Sequence, residues 1–222
     1  MLRLAALSCV IDGKTILDDI NFNFAAQKFY CITGKNGSGK STLLRAIMGL
    51  HPVNGHLYFD GQDISNFTTE QRAQLGFSYA YQRPVQFRGI SVADLFKFRG
   101  LEAGQAIKYL GLVGLHSSYL SRHFDKSLSG GEQKRIELAL SLSRSSKVYL
   151  IDEPEAGIDL WSFTQLVQLF KELKQQSQAI FIVASHHRDI LALSDHLLLM
   201  DAGKIQRSGN YADIMEPSHA SA

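Results

Sequence analysis

Gly34-Lys35-Asn36-Gly37-Ser38-Gly39-Lys40-Ser41-Thr42 decides the reading of this chain, because it fits G-x-x-x-x-G-K-[ST]. The residues before it, Phe29-Tyr30-Cys31-Ile32, are apolar and β-prone, and those after it, Leu43 to Leu50, carry a helical pattern. A strand that turns through glycines into a helix is the context in which this pattern holds phosphate. The glycines let several backbone N–H groups converge on one anion, and the helix N-terminus adds the positive end of its dipole. Gly34, Asn36, Gly37, Ser38, Gly39, Lys40, Ser41 and Thr42 are therefore the candidate cradle for the phosphates of ATP. Lys40 is expected to bridge the β- and γ-phosphates, and Ser41 to hold Mg²⁺. The competing reading, an ordinary glycine-rich turn, needs neither flank.

Towards the N-terminus, residues 2–10 and 16–24 alternate apolar and polar side chains around Asp12-Gly13, a hairpin signal. The strand feeding the loop covers 28–33, and the helix after it 40–49. His56-Leu57-Tyr58-Phe59 before Asp60-Gly61 predicts another strand and turn. The first third thus predicts an antiparallel β layer beside a nucleotide-binding core.

Downstream, residues 68–76 predict a short helix capped by Thr68 or Thr69. Phe77-Ser78-Tyr79-Ala80-Tyr81 is a strand that delivers Gln82 at its end. Residues 91–127 carry helical periods broken by Gly89, Gly100, Gly104, Gly111 and Gly114. With the amphipathic helix from Gly131 to about Leu142, they define a small helical subdomain, approximately 88–143. Val148-Tyr149-Leu150-Ile151 is a continuous apolar run suited to a parallel strand buried on both faces, and it ends in Asp152-Glu153. A helix over Trp161 to Gln176 precedes a second buried strand, Ala179 to Ala184, ending in Ser185-His186. His196 to Met200 and Lys204 to Gln206 frame a terminal hairpin, and Glu216 to Ala222 reads as a frayed tail. The expected fold is α/β, one domain over residues 1–222.

The bulk numbers exclude several classes. Of 222 residues, 45% are hydrophobic and 20% charged, as in an ordinary globular protein, and the formal net charge of +2 is too small to hold nucleic acid or an anionic membrane. Cys9 and Cys31 make neither a disulfide framework nor a metal site, which points to a reducing, cytoplasmic compartment. Met1 to Leu7 is apolar but too short for a signal peptide, and no 18-residue apolar run exists, so no direct membrane insertion is expected.

Gln82, Asp152-Glu153 and His186 all lie just past predicted strand ends, as does the phosphate loop. In an open parallel sheet such ends converge on one ligand-binding edge. Asp152 suits the second acid of a phosphate-loop ATPase, holding Mg²⁺ through water, and Glu153 is in position to orient or deprotonate the attacking water. The bland alternative is a turn cap before Pro154. His186 could hydrogen-bond the γ-phosphate, although a lone histidine at a strand end is more often structural. Leu128-Ser129-Gly130-Gly131-Glu132-Gln133-Lys134-Arg135 opens a helix with a second nest of N–H donors. It equally allows Ser129 as N-cap with Glu132 completing a capping box, and both readings can hold together.

The phosphate loop, Gln82, Leu-Ser-Gly-Gly-Glu-Gln, Asp152-Glu153, Gly157-Ile158-Asp159 and Ser185-His186 stand in the order and rough spacing of ATP-binding cassette (ABC) ATPases, and the resemblance covers nearly the whole chain. It implies an ABC cassette with a mainly parallel core sheet, an antiparallel β layer and a small helical subdomain. It implies ATP and Mg²⁺ as cofactors and ATP hydrolysis as the reaction. Glu153, His186, Lys40 and Gln82 would be catalytic, and Ser41, Gln82 and Asp152 would serve the metal. In the family two cassettes sandwich two ATP molecules head to tail. Ser129, Gly130 and Gly131 would then touch the nucleotide bound to a second copy of the chain, and Asp159 would lie in the loop coupling the two sites.

Within that family, Tyr81-Gln82-Arg83-Pro84-Val85 through Gly89-Ile90-Ser91-Val92 is similar to SufC, the ATPase of the Suf iron–sulphur cluster assembly machinery. Ile11 agrees: family transporters usually place an aromatic near there to stack on adenine, and SufC-like proteins are aliphatic. Glu155-Ala156-Gly157-Ile158-Asp159 also resembles the SufC loop. Lys35, Gln133, Ile158 and the short stretch between Gln82 and Ser129 depart from it. Two partners follow: a SufB/SufD-like scaffold or, alternatively, a separately encoded membrane permease of an importer. A chromosome-maintenance ATPase would need a long coiled-coil insert, and a translation factor two cassettes.

Overall fold

The structure, a computed structural model, describes residues 1–82 and 89–215. The chain opens as an antiparallel hairpin of β1 (Leu2–Ile11) and β2 (Lys14–Phe24). Its turn places Asp12 at φ 49° and Gly13 at φ 75°, the positive values that a two-residue hairpin turn requires. β3 (Phe29–Thr33) leads into α1 (Lys40–Met48). β4 (Asn54–Phe59) pairs with β1 and with the two-residue β5 (Gln62–Asp63). α2 (Thr69–Gln74) starts on Thr68, whose hydroxyl accepts the Gln71 N–H while the Gln71 side chain accepts the Thr68 N–H. β6 (Phe77–Ala80) precedes α3 (Val92–Phe98), α4 (Ala103–Leu112), a 3-10 turn (Ser117–Ser121) and α5 (Gly130–Leu142). Then follow β7 (Val148–Asp152), α6 (Leu160–Gln176), β8 (Ile180–Ala184), α7 (Arg188–Leu191), β9 (His196–Asp201), β10 (Lys204–Gly209) and α8 (Tyr211–Met215).

The strands form two sheets. The larger has the order β10-β9-β3-β8-β7-β6, parallel from β9 to β6 with β10 antiparallel at the edge; the smaller has the order β2-β1-β4-β5. Every residue of β3, β7 and β8 is buried, which is why these strands read as unbroken apolar runs. Side chains alternate between two cores. Phe29, Cys31, Ile151 and Val183 face the one shared with the helices of the 92–142 region and α6. Tyr30, Ile32, Leu150 and Ile182 face the one filled by α1 and the antiparallel sheet, where Leu43, Leu44, Ala46 and Ile47 are fully buried. α1 is thereby wedged between the two sheets, which fixes the loop that precedes it.

Both thiols are buried, and burial pushes the Cys31 thiol far up, so neither is a reactive group. β5, α7 and α8 are absent from the sequence-based expectation because two to five residues are too short to show a period. Arg83–Arg88, which carry much of the SufC-like stretch, and the tail Glu216–Ala222 lie outside the described residues. Among the described residues no helix is long and apolar enough to cross a membrane.

Candidate nucleotide site

β3 ends at Thr33 and the chain curls through Gly34 to Gly39 into α1. Glycine is forced twice. At Gly34 (φ 143°) a Cβ would lie 2.0 Å from the Met200 carbonyl oxygen, and at Gly39 (φ 103°) 3.1 Å from that of Ile16. No side chain caps α1 at Gly39, so its first N–H groups stay available to an anion. The Lys40 ammonium folds back over the loop and donates to the carbonyls of Gly34 (2.8 Å) and Lys35 (3.1 Å). Burial lowers its pKa, opposed by the charges of Glu153 and Asp152. Asn36, Gly37, Gly39, Lys40, Ser41 and Thr42 line a cleft of ≈ 660 Å³ with Gln82 and Glu153. Gly34 and Ser38 do not line it, and the Ser38 N–H donates to the Lys35 carbonyl.

The parallel register carries the acids to the same edge, since Asp152 pairs with Ala184 and Ile32 also pairs with Ala184. Asp152 is fully buried; its Oδ1 accepts the Ser41 hydroxyl (2.9 Å) and its Oδ2 the Tyr79 hydroxyl (3.1 Å). Burial raises its pKa, and those two bonds oppose the rise. Glu153 adopts φ 44°, a left-handed conformation that costs a non-glycine residue, held by its N–H to the Ala184 carbonyl at 2.9 Å. Its carboxylate lies between the Gln82 amide, which donates to Oε2 at 2.5 Å, and His186 Nε2, 3.6 Å from Oε1. The phosphate loop, Gln82, Asp152-Glu153 and His186 therefore meet at one sheet edge. In this arrangement Gln82 sits on Glu153.

Ser129 forms the expected capping box: its Oγ accepts the Glu132 N–H (3.2 Å) and Glu132 accepts the Ser129 N–H (2.7 Å). Asp159 caps α6 by accepting the Ser162 N–H and hydroxyl. The two turns pack together, since a Cβ on Gly131 would lie 2.7 Å from the Gly157 carbonyl oxygen. Ser129, Gly130, Gly131 and Asp159 thus form a second cluster, and none of them lines the chain's own cleft.

Some residues at the site escape sequence reasoning. Glu155 accepts the Ser185 hydroxyl (2.6 Å) and the His186 N–H (3.1 Å), fixing the loop that presents His186. Lys134, buried in α5, donates to the carbonyls of Asp152 (2.9 Å) and Tyr81, while Glu137 accepts the Tyr81 N–H at 2.8 Å. Burial pushes the Glu137 carboxyl up to about 7. A lysine and a glutamate at i and i+3 in an amphipathic helix read as a solvated pair, so their burial had no local signal. His187 caps α7 and packs on Phe163 with ring centroids 3.9 Å apart.

The comparisons name the family. The family described as "ABC transporter" matches residues 17–156. The chain belongs to the ABC ATP-binding cassette family. As a member, the cassette binds ATP with Mg²⁺ and hydrolyses ATP. It is 31% identical to "Uncharacterized ABC transporter ATP-binding protein MJ0035" of Methanocaldococcus jannaschii, over 97% of this chain and 91% of the relative. It is 28% identical to "Probable ATP-dependent transporter ycf16" of Cyanidium caldarium, over 95% and 90%. Its fold matches a solved cassette, the dimeric post-hydrolysis state of MJ0796 bound to ADP and Pi, with TM-score 0.84 and 22% identity over 95% of this chain and 98% of that one.

Mg²⁺ fits the residues present in the cassette. Ser41 and Asp152 offer hard oxygen donors, and the desolvated Asp152 carboxylate is a charge that a cation would stabilise. No group of three or more histidine, cysteine or acidic side chains suited to a metal exists among the described residues.

Proposed function

We propose that this chain is the ATP-hydrolysing subunit of an ABC transporter, working in pairs on the cytoplasmic face of a separately encoded membrane permease. The observation that carries the pairing is the second cluster. Ser129, Gly130, Gly131 and Asp159 make a helix N-terminus and a turn suited to a nucleotide, yet they stand apart from the cleft of their own chain. A second copy supplies the missing nucleotide. The relative named as an ATP-dependent transporter supports the transport role. Residues 1–222 act as one cassette, with the subdomain at approximately 88–143 as its helical arm.

In this reading the loop amides and Lys40 spread the γ-phosphate charge. Ser41 and Asp152, with Gln82, would hold Mg²⁺, which would supply charge neutralisation at the phosphates. Glu153 takes the proton of the attacking water, and His186 steadies the phosphate. Lys40→Ala weakens ATP binding at least roughly 10-fold, read by calorimetry; unchanged affinity removes Lys40 from the phosphate site.

A SufC-like role is the second reading, favoured by Ile11. This aliphatic residue lines the cleft where a transporter of the family would present an aromatic ring to adenine. Ile11→Tyr then tightens ATP binding, because stacking a base on an aromatic ring contributes about 1–3 kcal/mol. An unaltered affinity places the base elsewhere. Affinity purification from the native cell, with the co-purifying chains identified, separates the two roles. A polytopic membrane protein supports transport, and a cysteine-bearing β-rich scaffold supports cluster assembly.

A further inference from the structure

We infer that Tyr79 is a positioning residue that holds Asp152 with Oδ1 alone turned to the Mg²⁺ site. The inference rests on the reading of Asp152 as a Mg²⁺ residue.

Ser41 lies in the first turn of α1, on its face towards β7. The Ser41 hydroxyl donates to Asp152 Oδ1 at 2.9 Å. Across the carboxylate, the Tyr79 hydroxyl from the neighbouring strand β6 donates to Oδ2 at 3.1 Å. Donor chemistry sets the direction of this chain of bonds. An ionised carboxylate has acceptors and no donor, so the Tyr79 hydroxyl donates to it. The single phenolic hydrogen is then directed at Oδ2.

The relay matters because carboxylate torsions are broad and roughly two-fold. Without the Tyr79 hydroxyl, Oδ2 would be buried with no donor, a costly state that the side chain relieves by rotating. Rotation exchanges the oxygens and takes Oδ1 off Ser41. Residues behind a metal-binding carboxylate act in this way, and their loss costs about 10-fold or more in metal affinity.

The test is the Mg²⁺ dependence of AMPPNP binding to the full chain, measured by calorimetry in EDTA and across a Mg²⁺ titration. Tyr79→Phe, which removes one oxygen, should raise the Mg²⁺ concentration for half-maximal effect about 10-fold and leave AMPPNP affinity in EDTA unchanged. Tyr79→Leu should shift it in the same direction, and it carries the test alone if the phenylalanine variant does not fold. Asp152→Asn is the reference. If it raises the Mg²⁺ requirement while Tyr79→Phe and Tyr79→Leu do not, the positioning role is overturned and the Mg²⁺ role of Asp152 stands. If Asp152→Asn changes nothing, both are overturned. Lower affinity of Tyr79→Phe in EDTA would assign Tyr79 a purely structural part and overturn the inference.

Discussion

Glu153→Gln is expected to slow ATP hydrolysis at least roughly 100-fold while ATP affinity stays intact. The geometry makes this substitution clean. Glu153 is held by its backbone N–H on Ala184, which the change leaves alone. Its side chain accepts from Gln82 at 2.5 Å, and a glutamine oxygen can accept that bond too. Position and polarity survive, and the basic oxygen needed to take a proton from water is lost. Neither Lys40 nor the loop amides are touched, so nucleotide binding is spared. With hydrolysis blocked, the ATP-bound pair of chains has no exit and accumulates. Single-turnover phosphate release reads the rate, and size-exclusion chromatography with ATP and Mg²⁺ reads the trapped dimer. A wild-type rate would take the general-base role away from Glu153.

Arg72→Met is expected to remove at least about 3 kcal/mol of stability, the scale of several buried polar groups losing their donors. Arg72 is 1% exposed, and among the described residues no carboxylate pairs with it. Its guanidinium instead serves five carbonyls. Nη1 donates to Ala46 and Ile47 at 2.8 Å each, and the other nitrogens to Phe67, Ile64 and Ser65. Ala46 and Ile47 belong to the last turn of α1, where the negative end of the dipole favours a cation, although the Ala46 carbonyl also accepts the Gly49 N–H at 3.0 Å. Burial lowers the Arg72 pKa to about 10, so it remains charged at neutral pH. Methionine fills much of the volume and satisfies none of the oxygens. Lysine cannot reach five of them with one ammonium. The melting temperature of Arg72→Met without nucleotide should fall by roughly 6–12 °C. An unchanged melting temperature would show that water satisfies the carbonyls as well as the guanidinium does.

Much of this was legible in local patterns. Gly34 to Thr42 located the phosphate loop because backbone sterics allow that curl only with glycine at particular places. Asp12-Gly13, the Thr68 cap and the Ser129 capping box are set by residues within three positions of one another. The apolar runs at 148–151 and 179–184 announced buried strands, the run at 29–32 announced the strand that feeds the loop, and the strand ends named Gln82, Asp152, Glu153 and His186. That reasoning needed only that parallel strands share an edge.

Tertiary structure alone decided which of these side chains touch, and through what. Ser41 meets Asp152 across 111 positions of sequence, Tyr79 reaches it across 73, and Lys134 grips the Tyr81 carbonyl across 53. Arg72 in a six-residue helix reads as a solvated charge until α1 and the loop around Ile64 close over it. The reason is physical. Chain sterics and side-chain period act over a few residues and leave their mark in composition. A hydrogen bond between distant elements depends on sheet register and helix placement to a few tenths of an ångström, which the packing of both cores sets together.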